Sequence, residues 1–524
     1  MTNNNTSEAC ASARAYIRRE SLDIYNRLHS IETDIAFIDQ VRMAYPTLPL
    51  IPNLRCGAWY TDPAIAHPGV HAYFKSTDGH HGNWSFNLRR PNLHLLPVAV
   101  AHGGLDTRGK TSPDALSKTV PIWCAVVNRA LRLRDLSPPR PVISAGADRA
   151  DEGVQESGDA VSDLHTPPGT VGAHEHTQIA SHLDGWAADL ANSSYALPAL
   201  KRSLRPLWIT PGTTRFPHIA PDAGFLPVIC VSASRAIGVT DEDDLGVGLG
   251  RRVDGFSYVQ GSGDDHELWS QGLTPQLFWQ HRAELLMCSR AELETLVPRL
   301  ITITRDTAAQ SSVDNRSSGS WITQPTPIAK VGGRIALCTL TGLPRDLPVW
   351  VTGAPNTNEE TALIIVDESD ALRDDIDSRL LIKVHSNDTA ALSDSGASGN
   401  SSRVLHMRFP PGKRGHHIFL HDVLPRAISF ASPHLNLGRA IYVAGGDGCI
   451  GVALALLQLF FDSDGRPHIG APRDAAISKS SVRTRLEWII ASLPQANPAR
   501  AILKRVNDFL LSPHLRGGKA DEPR

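Results

Sequence analysis

Between Ala11 and Ala44 apolar residues fall every three or four positions, at Ile17, Leu22, Ile24, Leu28, Ile31, Ile35 and Ile38, with charged residues between them. That period puts the apolar side chains on one face and predicts two amphipathic helices. Leu54 to Leu131 is dense in aromatic, histidine and basic residues and is expected to be ordered. The pattern then breaks. Ser137 to Gly172 is rich in Pro, Gly, Ser, Asp and Ala and nearly without aromatics, too little apolar surface to offset the entropy of ordering. A loop or insertion inside the first domain is expected there. Ordered sequence resumes over Leu207 to Leu300, with a helical pattern starting near Pro275. Two polar interruptions, Ala308–Ser320 and Ser386–Ser402, bracket strand-like runs at Ile335–Leu340 and Ala362–Val366. From Val404 to Ser512 strand, loop and helix patterns alternate as in an α/β domain. The expected division is a mixed α+β domain over 1–300 with its insertion at about 137–172, a connecting region over 301–403, and an α/β domain over 404–516.

Length and composition narrow the class. A chain of 524 residues exceeds what one core usually fills, so two or more domains are expected. The formal charge of −2 excludes a broadly basic nucleic-acid coat but leaves room for local basic faces. Seven cysteines, scattered and never in a C-x-x-C arrangement, support neither a disulfide framework nor a zinc knuckle. The longest apolar stretch, Gly451 to Phe461, is far shorter than the about 20 residues a membrane span needs. A soluble cytoplasmic protein with no obligate protein partner is the expectation.

The candidate chemistry begins with Ile441-Tyr-Val-Ala-Gly-Gly-Asp-Gly-Cys-Ile-Gly451, an apolar strand feeding a glycine-rich turn and then a helix. Such a turn, here at Gly445, Gly446 and Gly448, aims backbone N–H groups and a helix dipole at one small volume suited to an anion. A dual-specificity phosphatase builds its catalytic loop this way. Aligned on Gly446, however, the position of the nucleophilic cysteine holds Val443 and that of the arginine holds Cys449. No thiolate stands where phosphoenzyme chemistry needs one, so the loop is expected to bind phosphate without cleaving esters.

Three further constellations carry reactive groups. Tyr73-Phe-Lys-Ser-Thr-Asp-Gly-His80 and the following Asn83 to Arg90 bring together Lys75, Arg89 and Arg90 as phosphate donors with Asp78 and His80 as base or ligand. The same residues also read as a Ser-Thr-Asp-Gly turn with a solvated basic pair. Arg108 and Lys110 flank a glycine in a loop, and Asp114 to Trp123 reads as a capped helix start with Lys118 among residues that pack. Gln260-Gly-Ser-Gly-Asp-Asp-His-Glu267 sets Asp264, Asp265, His266 and Glu267 directly after a Gly-x-Gly turn. Paired carboxylates at a strand end hold Mg²⁺ or take a proton from a hydroxyl; the alternative is an acidic first turn of a helix. Tyr258 to Asp265 also echoes Tyr442 to Asp447, strand into glycine-rich turn in both. Near the end, Lys479, Arg483 and Arg500 lie along two helices at spacings that serve an RNA backbone or a solvated face.

In their order, these motifs resemble the fungal and plant initiator tRNA phosphoribosyltransferases. The resemblance runs through Tyr73–Arg90, Arg108–Trp123, Tyr258–Trp279, ending Gly272-Leu-Thr-Pro-Gln-Leu-Phe-Trp279, and Val404–Leu511. It implies a C-terminal dual-specificity-phosphatase-like domain without phosphatase activity. It also implies transfer of 5-phosphoribosyl from 5-phosphoribosyl 1-diphosphate to the 2′-hydroxyl of an adenosine in the T stem of initiator methionine tRNA, marking that tRNA against use in elongation. A β product from an α donor implies one inverting displacement, with cations on the leaving diphosphate and a base at the 2′-hydroxyl. Against that chemistry Lys75, Arg89, Arg90, Arg108, Lys110 and Lys118 are expected on phosphates, Asp264 and Asp265 on Mg²⁺, and Asp78, His80 or His266 as base. Gly445, Gly446, Gly448, Lys479, Arg483 and Arg500 are expected to position the tRNA. The alternative is a catalytically silent pseudophosphatase that binds phosphate or RNA.

Overall fold

The apolar stripe of the first helices is cut by Asp23, whose carboxylate accepts a hydrogen bond from Asn26 N–H (2.9 Å) and caps the second of them. This splits the pattern into α1 (Thr2–Leu22) and α2 (Ile24–Ala44), the two helices its period predicts. The computed structural model describes residues 2–53, 56–109, 114–134, 164–220, 222–235, 249–253, 255–314, 322–340, 361–368, 403–468, 477–512 and 515. The polar run at Ser386–Ser402, most of the insertion expected at 137–172, and Lys110 lie outside these residues. The chain forms two units, one of Met1–Asn192 with Leu197–Ser311, the other of Ser193–Ala196 with Ser312–Arg524.

In the first unit β1 (Leu50–Pro52), α3 (Leu95–His102), β2 (Leu105–Gly109), α4 (Val120–Leu133), α5 (Ala173–Ala191), β3 (Ser203–Ile209) and β4 (Phe225–Ser232) follow in order. The hairpin β5 (Leu249–Val253) and β6 (Phe256–Val259) and the helices α6 (Pro275–Gln280), α7 (Arg282–Met287) and α8 (Arg290–Asp314) complete it. The sheet has the order β1-β2-β4-β3, and every pairing in it is parallel. Strand β4 is buried almost without a break, as a strand covered on both faces must be, and its successive side chains enter opposite cores. Ile229 and Val231 join a core with Leu28, Ile31, Ile35 and Ile38 of α2 and with Phe278, Leu293 and Val297 of α6 and α8. Cys230, between them, neighbours Cys124 of α4, whose thiol is pushed well up by burial. Asn128 of α4 docks the edge strand: its amide donates to Leu204 O (2.9 Å) and accepts from Leu204 N–H (2.9 Å).

The second unit is also α/β. Its strands β7 (Thr326–Pro327), β8 (Ile335–Cys338), β9 (Thr361–Glu368), β10 (Val404–Phe409) and β11 (Ala440–Gly445) form one sheet in the order β10-β9-β11-β8-β7, parallel except for the β7 edge. The stretch read as a connector thus supplies three of the five strands, because β9 pairs between β10 and β11. The helices are α9 (Gly412–Ile418), α10 (Leu424–Asn436), α11 (Asp447–Phe460), α12 (Lys479–Ser492) and α13 (Arg500–Leu511). α11 is apolar nearly all round and buried accordingly. It admits α13 closely: a Cβ on Gly451 would lie 2.8 Å from Ile502 Cγ2. The echo between Tyr258 and Tyr442 is one of sequence only. β6 is a hairpin strand that leads into a short 3₁₀ turn, whereas β11 is a central parallel strand that leads into a helix.

Replacing Asn128 by Ala removes both hydrogen bonds to the buried Leu204 backbone and leaves a donor and an acceptor unmet. A loss of about 2–3 kcal/mol is expected in the urea unfolding of the first unit. An Asn128→Asp variant keeps the acceptor but not the donor and is expected to be destabilised as well.

Candidate functional site

The parallel sheet of the first unit determines where a ligand can enter. After β2 the chain passes to α4 on one face, while after β4 it passes to β5 and β6, and β6 packs on α2 on the other face. Connections that leave adjacent strands toward opposite faces open a crevice at the carboxyl ends, the usual ligand position of open α/β sheets. Two groups of reactive side chains border this switch point.

The first is the Gly-Ser-Gly-Asp loop after β6. Gly261 has φ +67°, and a Cβ on Gly263 would lie 3.0 Å from the Tyr60 ring, so both glycines are required by geometry. Arg27 of α2 donates to Gly261 O (3.3 Å), Ser262 O (3.0 Å) and Asp264 O (3.4 Å). Tyr60 OH accepts from Gly263 N–H (2.7 Å), and Trp269 Nε1 donates to Asp264 O (2.7 Å). Burial lowers the Arg27 guanidinium pKa, opposed by Tyr60, Asp264 and Asp265. The loop is thus fixed by its backbone, leaving Asp264 half-buried and Asp265 exposed in a left-handed conformation (φ 43°). Asp265 makes no side-chain cap to the 3₁₀ turn His266–Leu268, so an N-cap does not account for it. His266 Nδ1 lies 4.0 Å from Glu267 Oε2, and its ring lies near Trp59.

Beneath the loop sits a buried acid that sequence reasoning missed. Asp34 of α2 accepts from Ser234 Oγ (2.6 Å) and from Tyr258 OH (2.6 Å). Ser234 Oγ in turn accepts from Gly261 N–H (3.1 Å), and Tyr258 OH accepts from Arg235 N–H (2.9 Å). Burial pushes the Asp34 carboxyl up to about 7, opposed by its two hydroxyl donors and by Arg235. The available signal was phase: Asp34 falls on the apolar stripe of α2, three residues after Ile31 and four before Ile38.

The second group lies on the other side. Ser76–Gly79 forms a 3₁₀ turn packed on the π-helical turn Ala115–Thr119, and a Cβ on Gly79 would lie 2.5 Å from Asp114 O. Asp78, buried, takes two hydrogen bonds from Arg90 Nη2 (3.0 and 2.9 Å). Lys118 Nζ, also buried, donates to Asp114 Oδ1 and Glu175 Oε1 at 2.8 Å each. Burial works to lower the Lys118 pKa, but these two carboxylates raise it overall. Asp78, Arg90 and Lys118 are therefore spent on ion pairs. One of the three candidate bases and two of the expected phosphate donors thus form buried ion pairs, and a buried charge must keep its partner. Asp114 does not cap the helix as its position suggested; its carboxylate faces Lys118 and, at 3.8 Å, His80 Nε2. His80 is half-exposed, and His81 Nδ1 stands 3.4 Å from Glu175 Oε1. Arg89 is half-buried, its pKa lowered by burial and by Arg90. Lys75 contributes its carbonyl to Thr119 Oγ1 (3.0 Å). Arg108 stands one residue before the end of β2, paired with Val231, with its side chain outside the described residues.

In the second unit the glycines of the β11–α11 turn serve packing. A Cβ on Gly445 would lie 2.3 Å from Val366 O and one on Gly448 would lie 2.9 Å from Val366 Cγ1, while Gly446 faces open space. Asp447 begins α11, and its carboxylate accepts from Ala499 N–H (2.8 Å). The Cys449 thiol is buried and pushed up to about 12 by burial, with Cys338 and Asp447 adding to the shift. At neutral pH it carries no thiolate, so the loop has no cysteine nucleophile. Lys479 and Arg500 are exposed at the starts of α12 and α13, while Arg483 lies 3.6 Å from Glu487. Among the described residues no group of three or more His, Cys, Asp or Glu is placed to hold a metal ion, and no helix is long and apolar enough to cross a membrane.

Comparison with known proteins agrees with this two-unit layout. Residues 17–302 match the family model described as Rit1 N-terminal domain, and residues 403–510 match the one described as Rit1 DUSP-like domain. An uncharacterized protein of Schizosaccharomyces pombe is 31% identical over 512 residues, covering 93% of this chain and 94% of its own. The tRNA A64-2'-O-ribosylphosphate transferase of Saccharomyces cerevisiae is 36% identical over 293 residues, 51% of each chain. No solved structure matches the chain.

Two outcomes follow from the loop and its support. Arg27→Met keeps the aliphatic stem but frees three carbonyls, and amide hydrogen exchange at Ser262–Asp265 is expected to rise by tenfold or more while exchange in β4 is unchanged. Asp34 titrates higher folded than unfolded, so its contribution to stability is full below its ordinary value of 3.8 and is lost as pH rises through about 7. At about 1.4 kcal/mol for each pH unit between the two values, the loss is on the order of 4 kcal/mol. Urea unfolding of wild type between pH 4 and 8 is expected to show it, and Asp34→Asn to flatten it.

Proposed function

The chain belongs to the family defined by the Rit1 N-terminal and Rit1 DUSP-like domains, and from that premise we propose that it moves a 5-phosphoribosyl group from 5-phosphoribosyl 1-diphosphate to initiator methionine tRNA. The coarser activity, transfer of ribosylphosphate to tRNA by a pentosyltransferase, rests on one observation: 36% identity over 293 residues to a transferase of that name. The finer reading names the acceptor as the 2′-hydroxyl of an adenosine in the T stem. A-form RNA displays that hydroxyl in its shallow minor groove, where shape and phosphate contacts dominate.

The chemistry asks for charge on a leaving diphosphate and a base at the incoming hydroxyl. Asp264 and Asp265 are adjacent, solvent-reached and held by a fixed backbone, which fits Mg²⁺ shared with substrate phosphates rather than caged by protein. When bound, the ion would neutralise the departing diphosphate. In this reading Arg89, Lys75, Arg108 and Lys110 serve donor or tRNA phosphates, while Arg90 pairs with Asp78 and Lys118 with Asp114 and Glu175. Of the three candidate bases His80 is preferred: Asp78 is paired to Arg90, and His266 has an exposed glutamate for company. His80 has Asp114 at 3.8 Å to orient it, and Lys118 holds that carboxylate in place. The DUSP-like unit serves recognition in this reading, with Lys479 and Arg500 on RNA phosphates.

Incubating the full chain with Mg²⁺ and donor labelled in the ribosylphosphate group, and counting label on initiator and elongator methionine tRNA, tests the reading. Label is expected on the initiator alone, and His80→Gln is expected to slow transfer by roughly 10²–10³ without weakening tRNA binding. Equal label on both tRNAs would remove the selectivity. No label on either would remove the proposed donor and acceptor pairing.

A further inference from the structure

We propose that Asp34 is a positioning residue for the transfer reaction: its ionised carboxylate sets the backbone of the Gly261–Asp264 loop through the hydroxyls of Ser234 and Tyr258. The role rests on the reading that Asp264 and Asp265 serve the donor.

Hydrogen-bond direction determines the charge. Ser234 Oγ accepts from Gly261 N–H and Tyr258 OH accepts from Arg235 N–H, so the single proton of each hydroxyl is free to point at Asp34. Both do so, at 2.6 Å, one to each carboxylate oxygen. A carboxylate accepts both protons. A carboxylic acid carries a proton of its own on one oxygen, which meets a hydroxyl proton head-on. Protonation of Asp34 therefore turns one hydroxyl away and disturbs either the turn after β4 or the start of the acidic loop. Backbone that carries Asp264 and Asp265 is thereby tied to the charge state of a side chain that touches neither.

The surroundings bring the two states within reach of each other. Asp34 and Ser234 are almost fully buried, and Tyr258 nearly so. From the strand side the Arg235 guanidinium lies 5.5 Å from the centroid of the Tyr258 ring, and its charge favours ionised Asp34. Tyr60, buried between Asp34 and Asp264, has its hydroxyl pKa raised by burial and by both acids, so it stays neutral and adds no charge. Burial is the opposing force, and it leaves the carboxyl titrating near neutrality. The state that orders the loop is thus the one that costs folding stability, a trade expected of a functional site.

Two readouts test this on the full chain. In the first, kcat/KM for transfer is followed from pH 5.5 to 8.5. Wild type is expected to gain about tenfold between pH 6 and pH 8, carried in kcat, as the ionised fraction rises. Asp34→Asn is expected to be slow and, compared in a His80→Gln background where the base no longer titrates, to lack that rise. Tyr258→Phe, which keeps the ring and removes one donor to the carboxylate, is expected to move the rise to higher pH. The second readout needs no substrate. Trp269 donates to Asp264 O, so its ¹⁹F resonance in protein carrying 5-fluorotryptophan reports the loop; Trp269→Phe identifies it among the 10 tryptophans. That resonance is expected to move with pH in wild type, to move at higher pH in Tyr258→Phe, and to stand still in Asp34→Asn. A resonance that ignores pH in wild type, or moves equally in Asp34→Asn, overturns the proposal. A resonance that behaves as expected in a protein with no transferase activity supports the relay and instead refutes the donor assignment of Asp264 and Asp265.

Discussion

One helix holds the acidic loop of this protein, and it does so with charges placed where a soluble helix normally keeps apolar groups. Arg27 and Asp34 stand two turns apart on α2. The arginine grips three carbonyls of the Gly-Ser-Gly-Asp loop, and the aspartate reaches a backbone N–H of the same loop through Ser234. A buried guanidinium is satisfied only by fixed acceptors, and a buried carboxylate only by fixed donors. Backbone carbonyls and anchored hydroxyls are such groups. The acidic loop is therefore fixed through its backbone, though it has no regular structure.

The parallel sheet decides what that rigidity is for. Its β2 and β4 strands send their connections to opposite faces, and open α/β sheets usually take a ligand at the carboxyl ends of such a strand pair. The acidic loop borders that edge from the β4 side. From the β2 side come His80 and Asp114, steadied by the Lys118 and Glu175 pairing and by the Asp78 and Arg90 pair. Charged residues here divide into those buried to hold the frame and those exposed to meet a ligand.

How much of this was legible in the sequence depended on how far apart the partners lie. The two N-terminal helices were readable because their apolar period is local, and so were β8, β9 and the β11–α11 turn. The acidic loop was readable as four ionisable residues after Gly-x-Gly. Its supports were not: Asp34 meets Ser234 and Tyr258 across 200 and 224 residues, and Arg27 meets the loop across 234 to 237. Asp78, Arg90 and Lys118 looked like ligand-binding groups because sequence shows a charge but not the charge opposite it. Glu175 was out of reach for the same reason, 57 residues beyond Lys118. Strand order was hidden as well, since β1 is three residues long and β4 returns between two earlier strands.

The DUSP-like unit makes the opposite case, a motif whose local signal outlasts its chemistry. Beside Gly445 and Gly448 Val366 leaves no room for a side chain, while Cys449 is buried as a neutral thiol. The central claim is therefore that the donor binds at the carboxyl edge of the first sheet and not at this loop. Diffraction from crystals of the full chain soaked with Mg²⁺ and 5-phosphoribosyl 1-diphosphate tests that directly. Diphosphate density beside Asp264 and Asp265, between the ends of β2 and β4, is the predicted result. Density seated instead on Gly445 to Gly448 would contradict the account.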